Sequence, residues 1–191
     1  MINHGDGTRR DLFRNAVGDW FDRMLASAEE RVVVRKYFRP PGALPEVGFL
    51  AACTRCGDCI SVCPVRAIIK VSSDGGFAAG TPYIDPSMQA CVVCPDMPCA
   101  RACPTEALTV PPDLWSGLSM GTLELDPRRC ITFEGTECGV CARACPVGSA
   151  AIAMDDGGHP VLRMEGCVGC GVCVRACVTH PSSLTLSMVE R

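Results

Sequence analysis

The stretch Cys53-Thr-Arg-Cys56-Gly-Asp-Cys59-Ile-Ser-Val-Cys63-Pro64 decides the fold of this chain, because related stretches occur three more times. Three cysteines at positions i, i+3 and i+6 allow a tight loop to hold one face of an iron–sulfur cube, and a fourth, followed by proline, is directed at a neighbouring cube. The four stretches use all sixteen cysteines: motif I (Cys53, Cys56, Cys59, Cys63), motif II (Cys91, Cys94, Cys99, Cys103), motif III (Cys130, Cys138, Cys141, Cys145) and motif IV (Cys167, Cys170, Cys173, Cys177). We therefore predict four [4Fe–4S] clusters with these sixteen cysteines as iron ligands and no catalytic residue.

The motifs differ in detail. Motif II has two extra residues between its second and third cysteines, and motif III has five extra after its first. Motif IV has Val178 where the other three have proline. Disulfide scaffolds do not need four near-identical tetrads, and structural zinc sites usually take two ligand pairs separated by a longer span. The spacing therefore favours clusters over disulfides and over zinc.

Composition limits the possible functions. The chain has 191 residues, a formal net charge of −3 and 5% aromatic residues, which is few for a large side-chain core. We expect bound clusters to supply part of the cohesion. The absence of a polybasic tract argues against nucleic acid as a partner. No apolar run approaches the roughly 18 residues of a membrane span, so we predict no transmembrane segment.

The first 48 residues are predicted to form a separate region, 1–48, ahead of a ferredoxin domain at 49–191. Apolar residues between Leu12 and Leu25 recur on one face, which predicts an amphipathic helix over 10–28. This helix could dock on a partner protein, pack on the chain itself or lie on a membrane surface. Arg9-Arg10 resembles a twin-arginine export signal, but no apolar region follows it. We therefore predict a cytoplasmic location, with the periplasm as the alternative.

The remainder of the chain predicts an α+β fold. Residues 31–48 contain Arg39-Pro40-Pro41-Gly42 and are expected to be an extended connector, followed by a short helix over Glu46–Ala52. The motifs recur about every 38 residues, and short strands separated by turn residues lie between them. The predicted strands are 67–71, 82–85, 107–110, 122–125, 151–154, 161–164 and 184–186, and consecutive ones are expected to pair as hairpins. The fold class is thus a four-cluster bacterial-type ferredoxin, two ferredoxin-like units of short hairpins and helical turns around the clusters.

Small residues and charges inside the motifs have expected roles. Glycines at 57, 139, 169 and 171 permit positive φ, so that backbone N–H groups can face the cluster. Prolines after Cys63, Cys103 and Cys145 fix φ beside it. Arg101, Arg143 and Arg175 each precede the last ligand, and either raise the cluster potential or are solvated helix residues. His180 is expected to be structural or to face solvent.

The motifs resemble those of a known family. The run Cys91-Val-Val-Cys94-Pro-Asp-Met-Pro-Cys99-Ala-Arg-Ala-Cys103-Pro is similar to the second motif of ferredoxin-type subunits of the NapG/MauM kind. The long gap between Cys130 and Cys138, and motif IV without its proline, are similar to that family's third and fourth motifs. The connector and first motif also resemble NapF-type ferredoxins, which are cytoplasmic. The resemblance covers residues 44–190 and implies an electron-transfer protein that works between a quinol-oxidising membrane partner and a terminal redox enzyme, in nitrate reduction or methylamine utilisation.

The resemblance also bears on how the motifs share ligands. Related subunits of molybdenum oxidoreductases pair the outer motifs with each other and the inner motifs with each other. This nested arrangement implies four ligand sets: Cys53, Cys56, Cys59 with Cys177; Cys167, Cys170, Cys173 with Cys63; Cys91, Cys94, Cys99 with Cys145; and Cys130, Cys138, Cys141 with Cys103. Tandem sharing, motif I with II and motif III with IV, stays open because every gap between motifs is long enough for a hairpin.

Taken together, the sequence predicts an iron–sulfur electron-transfer subunit. It would relay electrons between redox protein partners, an oxidoreductase or a quinol dehydrogenase or both, and would not itself be an enzyme. No nucleotide loop, flavin fingerprint or hydrolase set is visible in the sequence. The alternatives are a maturation factor for a partner metalloenzyme and a free-standing polyferredoxin.

Overall fold

The computed structural model of the chain describes residues 36–115 and 117–188. The helix predicted over 10–28 and the arginine pair at 9–10 lie outside the described residues. The described residues belong to one compact unit, which begins at Arg35. All sixteen cysteines are within the described ranges, and none of them is in a disulfide.

The helices of the described chain are short, and most of them belong to the cysteine motifs. They are α1 Glu46–Ala52, α2 Asp58–Ser61, α3 Pro98–Arg101, α4 Val140–Ala144 and α5 Val172–Ala176. Turns of 3-10 helix occupy Gly76–Ala78, Ile131–Glu134 and Gly148–Ala150. Helix α1 has the predicted bounds, and the residue that follows it is Cys53, the first cysteine of motif I.

The strands form three antiparallel pairs. They are β1 Ile68–Lys70, β2 Pro82–Ile84, β3 Thr122–Leu125, β4 Ile152–Met154, β5 Pro160–Leu162 and β6 Leu184–Ser187. Two of the predicted hairpins form, with Ile69 opposite Tyr83 and Ala153 opposite Val161. In the third pair β3 lies against β6, with Leu123 opposite Leu186.

One predicted hairpin is wrong. Residues 107–110 were expected to pair with 122–125, but they lie instead against the segment that precedes α1. The Leu44 amide donates to the Ala107 carbonyl at 3.1 Å, and the Thr109 amide donates to the Gly42 carbonyl at 2.8 Å. The chain forms two halves, the first with motifs I and II and the second with motifs III and IV. The physical reason for the difference is that the last segment of each half pairs with its first segment, as β6 pairs with β3. Each half therefore has the order outer strand, motif, hairpin, motif, outer strand.

Two apolar clusters lie between these elements. The first contains Phe49, Ile68, Ile84, Met97 and Leu108, with Phe49 and Met97 fully buried. The second is smaller and is built on Leu123, Ile152 and Leu184. Motif cysteines belong to both clusters. The cores are thus small and are completed by the cysteine loops, as the low aromatic content led us to expect.

The described part of the predicted connector, residues 36–45, is tightly packed. Arg39 is 1% exposed and pairs with Glu46 at the start of α1, with 3.0 Å between Arg39 Nε and Glu46 Oε2. Its Nη1 donates to Thr81 Oγ1 at 2.8 Å and to the Pro82 carbonyl at 2.9 Å. The guanidinium also lies 4.6 Å from the centre of the Phe49 ring. These contacts fasten α1 to the β1–β2 hairpin. No motif or periodicity in the sequence indicates that Arg39 and Glu46 form a buried ion pair.

Candidate iron–sulfur sites

The structure gathers the sixteen cysteines into four groups of four, each lining one cavity. We number each site by the motif that supplies three of its cysteines: site 1 (Cys53, Cys56, Cys59, Cys103), site 2 (Cys91, Cys94, Cys99, Cys63), site 3 (Cys130, Cys138, Cys141, Cys177) and site 4 (Cys167, Cys170, Cys173, Cys145).

This grouping is tandem, so the nested sharing implied by the resemblance is wrong for this chain. Cys103 of motif II lies in site 1, where the nested order placed Cys177. Cys63 lies in site 2, where the nested order placed Cys145. The reason is the strand pairing. The β1–β2 hairpin returns the chain from motif I to motif II, and β4–β5 returns it from motif III to motif IV, so each pair of motifs closes on itself.

The backbone of each motif turns through residues of positive φ. Gly57, Gly139 and Gly171 have φ of 94°, 81° and 80° and immediately precede α2, α4 and α5. Gly169 has φ of 65°, and a Cβ at this position would lie 2.3 Å from the Gly121 nitrogen. The prediction of positive φ at these four glycines is confirmed. Successive N–H groups in such a turn face inward and form a concave site for anionic sulfur.

Residues other than glycine adopt the same conformation in motifs I and II. Arg55 has φ of 62° and Val93 has φ of 56°, and both lie at the place that Gly169 takes in motif IV. The guanidinium of Arg55 donates to the carbonyls of Ala79 at 2.9 Å and Phe77 at 3.1 Å. Residue type alone does not indicate positive φ here. Alignment of the motifs with one another indicates it, because Arg55 and Val93 then align with Gly169.

The fourth cysteines of motifs I and IV have hydrogen-bond donors close to their sulfur atoms. The Ala67 amide donates to Cys63 Sγ at 3.3 Å. In motif IV, Cys177 Sγ lies 3.2 Å from Thr179 Oγ1 and 3.3 Å from Ser183 Oγ. Burial raises the pKa of Cys177, but hydrogen bonds from the Ser183, Thr179 and Ser182 side chains and the Thr179 backbone together outweigh burial and lower this pKa to about 6. These hydroxyls come after the valine that replaces proline in this motif.

The other cysteines include thiols that are hard to ionise on their own. Burial, helped by the charges of Cys53 and Cys99, raises the pKa of Cys59 to about 12. Burial likewise raises the pKa of Cys173 and that of Cys91 to about 12. Among the smaller effects on Cys91 is the charge of Cys170, in the other half of the chain. Crowded thiolates of this kind need bound positive charge, which iron supplies.

The arrangement of the thiols differs from that of a zinc site. Four thiolates around one zinc ion at about 2.3 Å would lie roughly 3.8 Å from one another. Among the described residues, no group of three or more His, Cys, Asp or Glu side chains is placed to hold a single metal ion. Four cysteines spread around a cavity are instead what a multi-iron cluster requires. The donor set therefore fits [4Fe–4S] clusters.

Charged side chains near the motifs are exposed. Arg101 donates to the Asp96 carbonyl at 2.6 Å, and Arg143 donates to the Cys138 carbonyl at 2.8 Å. Arg175 and His180 are also exposed. Arg101 and Arg143 therefore hold the backbone of their loops, and their effect on the potential stays a prediction.

Comparison with known proteins agrees with this geometry. Two family models, both described as a 4Fe–4S dicluster domain, match residues 52–107 and 122–178. The first range spans motifs I and II, and the second spans motifs III and IV. The methylamine utilization ferredoxin-type protein MauM of Paracoccus denitrificans is 39% identical over 177 residues, which cover 85% of this chain and 79% of that protein. The chain belongs to the NapG/MauM family of ferredoxin-type proteins.

Other members of the NapG/MauM family match over shorter ranges. The ferredoxin-type protein NapG of Escherichia coli is 37% identical over 142 residues, which cover 69% of this chain and 62% of that protein. MauM of Methylophilus methylotrophus is 42% identical over 117 residues, or 52% of its length. The chain is therefore an iron–sulfur electron-transfer protein of ferredoxin type with two dicluster domains. None of the helices described in the structure is long and apolar enough to cross a membrane.

Proposed function

We propose that the protein holds four [4Fe–4S] clusters, one in each of sites 1 to 4, with all sixteen cysteines as ligands. The observation that carries this proposal is that four separate cavities are each lined by four cysteines. Agreement between the tandem grouping and the bounds of the two dicluster domains supports it. The count follows from the cysteines, since each cube takes four thiolates.

The chain would use these sites to pass electrons between two redox proteins. Bound [4Fe–4S] clusters supply one-electron chemistry. The protein sets the reduction potential of each cluster by burying it and by donating hydrogen bonds to its sulfur atoms. Site 2 is lined by apolar residues such as Val65, Ile68 and Ile84, which exclude water. The partner classes that we propose are a terminal oxidoreductase and a quinol-oxidising membrane protein. The helix predicted over 10–28 is proposed as a docking element for one of them.

The first test is the metal content. Protein purified without oxygen is expected to contain ~16 iron atoms per chain, four for each cube. Replacing the exposed ligand Cys56 with alanine is expected to lower the content to ~12 by emptying site 1 alone. Iron near four per chain in the unaltered protein, or zinc in place of iron, would contradict the proposal.

The second test separates electron transfer from maturation. The reduced protein is mixed with a candidate oxidoreductase, and the visible absorption of the clusters is followed. Rapid reoxidation that depends on partner concentration supports electron delivery. If there is no reoxidation, and the partner loses activity only when this protein is missing during its biosynthesis, the chain is a maturation factor. Unchanged reoxidation after removal of residues 1–35 would show that the docking element lies elsewhere.

A further inference from the structure

The two halves of the molecule meet at motifs II and IV. Cys91 and Cys99 of motif II belong to the same apolar cluster as Cys170 of motif IV, together with Met120 and Val168. The Met120 amide donates to the Val168 carbonyl at 2.9 Å. Met120 immediately precedes the second half and Val168 lies inside motif IV. Site 4 is thus packed against the half that contains site 2.

Glycines make this approach possible. A Cβ on Gly171, which precedes α5 of motif IV, would lie 2.5 Å from Cβ of Pro86, a few residues before motif II. Real side chains essentially never approach so closely, so any larger residue at Gly171 would push the two halves apart. Gly57 has the equivalent place before α2 in motif I. A Cβ there would meet its nearest atoms, at the end of the Lys70 side chain, at 3.6 Å.

Exposure divides the sites in the same way. Sites 2 and 4 each contain two buried cysteines, Cys91 and Cys99 in one and Cys170 and Cys173 in the other. Sites 1 and 3 contain one each, Cys59 and Cys130. Among the sixteen cysteines, all of which are described, Cys56 of site 1 is the one that is exposed.

The surroundings of sites 1 and 3 are also open. Arg55 of motif I donates a hydrogen bond to the Phe77 carbonyl. Phe77 is 85% exposed. Val178, which lines site 3, is 50% exposed. Sites 1 and 3 therefore lie toward solvent, and sites 2 and 4 lie at the junction of the halves.

We infer that the four sites form a row in the order 1, 2, 4, 3, which differs from their order along the chain. Sites 1 and 2 are neighbours because each takes its fourth cysteine from the other's motif, and the same holds for sites 4 and 3. The contact between motifs II and IV makes sites 2 and 4 neighbours as well. A redox partner would meet the row at site 1 or at site 3. This inference rests on the proposed function, since it requires all four sites to hold clusters.

The test uses one substitution at the junction and a matched substitution away from it. Gly171→Ala and Gly57→Ala impose the same strain of positive φ before a helical turn, but only the first brings a methyl group against the other half. Both variants and the unaltered protein are fully reduced, their iron is counted, and the magnetic interaction between reduced clusters is measured by electron paramagnetic resonance.

The unaltered protein is expected to show one set of interacting spins. Gly171→Ala should keep ~16 iron atoms and measurably weaken the interaction between halves. Gly57→Ala should leave that interaction unchanged. An intact Gly171→Ala protein with undiminished interaction between halves would overturn the row. Iron near four in the unaltered protein would instead overturn the proposed function, so the two failures are distinguishable.

If Gly171→Ala does not retain its iron, ligand substitutions decide the order. Cys167→Ala removes site 4 and should leave site 3 magnetically isolated beside one interacting pair, sites 1 and 2. Cys138→Ala removes site 3, at the end of the row, and should leave three interacting clusters. Three interacting clusters after Cys167→Ala would contradict the inferred order.

Discussion

At the scale of single residues, motif IV differs from the other motifs in two ways: it lacks the proline after its last cysteine, and it has hydroxyl groups close to that cysteine's sulfur. Val178 follows Cys177, the last cysteine of the motif, and Thr179 and Ser183 then place their hydroxyls within hydrogen-bonding distance of the Cys177 sulfur. A hydroxyl that donates to a ligand sulfur stabilises negative charge on the cluster, and the reduced state carries more of it. These two side chains should therefore tune site 3 without being ligands.

Replacing Ser183 with alanine is expected to lower the midpoint potential of site 3 by tens of millivolts. This magnitude follows because a hydrogen bond to a charged group contributes about 1.5–3 kcal/mol, of which part differs between the two redox states. The measurement is a redox titration followed by electron paramagnetic resonance. Ser187→Ala is the matched control, because its hydroxyl donates to the Thr122 carbonyl and not to sulfur. Equal shifts in the two variants would show that the hydroxyl at 183 has no particular effect.

At the scale of elements, α1 depends on a buried ion pair. Glu46 opens this helix and receives the Arg39 guanidinium, and the two side chains are 6% and 1% exposed. The pair joins the extended segment, the helix that leads to Cys53, and the hairpin residues Thr81 and Pro82. Removing one partner leaves the other as an uncompensated charge in the apolar interior.

Glu46→Ala is therefore expected to lower the free energy of unfolding by about 3–5 kcal/mol, the usual loss when one partner of a buried pair is removed. Guanidinium denaturation without oxygen, followed through the visible absorption of the clusters, measures this change. Glu124→Ala, at an exposed position of β3, is the control and should change stability by no more than about 0.5 kcal/mol. A loss below 1 kcal/mol for Glu46→Ala would mean that the pair contributes little beyond an exposed one.

At the scale of the whole molecule, the two open ends of the protein differ in charge. Around site 1 the cations Arg55 and Lys70 are exposed beside Cys56 and outnumber the one exposed acid of that loop, Asp58. The long gap of motif III instead carries Glu134 and Glu137, and its Phe133 ring stacks on His159 of the β4–β5 turn with 4.2 Å between ring centres. That turn adds two more exposed acids, Asp155 and Asp156. Partners of opposite charge would therefore be drawn to the two ends.

Small charged oxidants can measure this difference. Oxidation of the reduced protein by the ferricyanide anion at low ionic strength should be slower by roughly 2–10-fold in Lys70→Glu and faster in Glu137→Lys. The cationic oxidant hexaammineruthenium(III) should show the opposite pattern. Both effects should disappear at about 1 M salt, where the screening length is about 3 Å. Effects that persist at high salt would indicate altered clusters in place of altered surface charge.

The sequence by itself determined the local architecture of the cysteine loops. The spacing of the cysteines indicated the cluster type, and glycines at 57, 139 and 171 marked the turns of positive φ that the structure contains. These features could be predicted because each depends on residues only a few positions apart. The bounds of α1 followed for the same reason, since the prolines before it and Cys53 after it limit the helix.

Only the tertiary structure decided which motifs share ligands and where the halves meet. The fourth cysteine of a motif reaches whichever loop the folded hairpin brings beside it, and the outer strands that close the second half, β3 and β6, pair residues 59 to 65 positions apart. The burial of Arg39 likewise depends on Thr81 and Pro82, far along the chain. Contacts between distant segments leave no pattern in a single sequence, so the tandem grouping and the junction of motifs II and IV required the folded molecule.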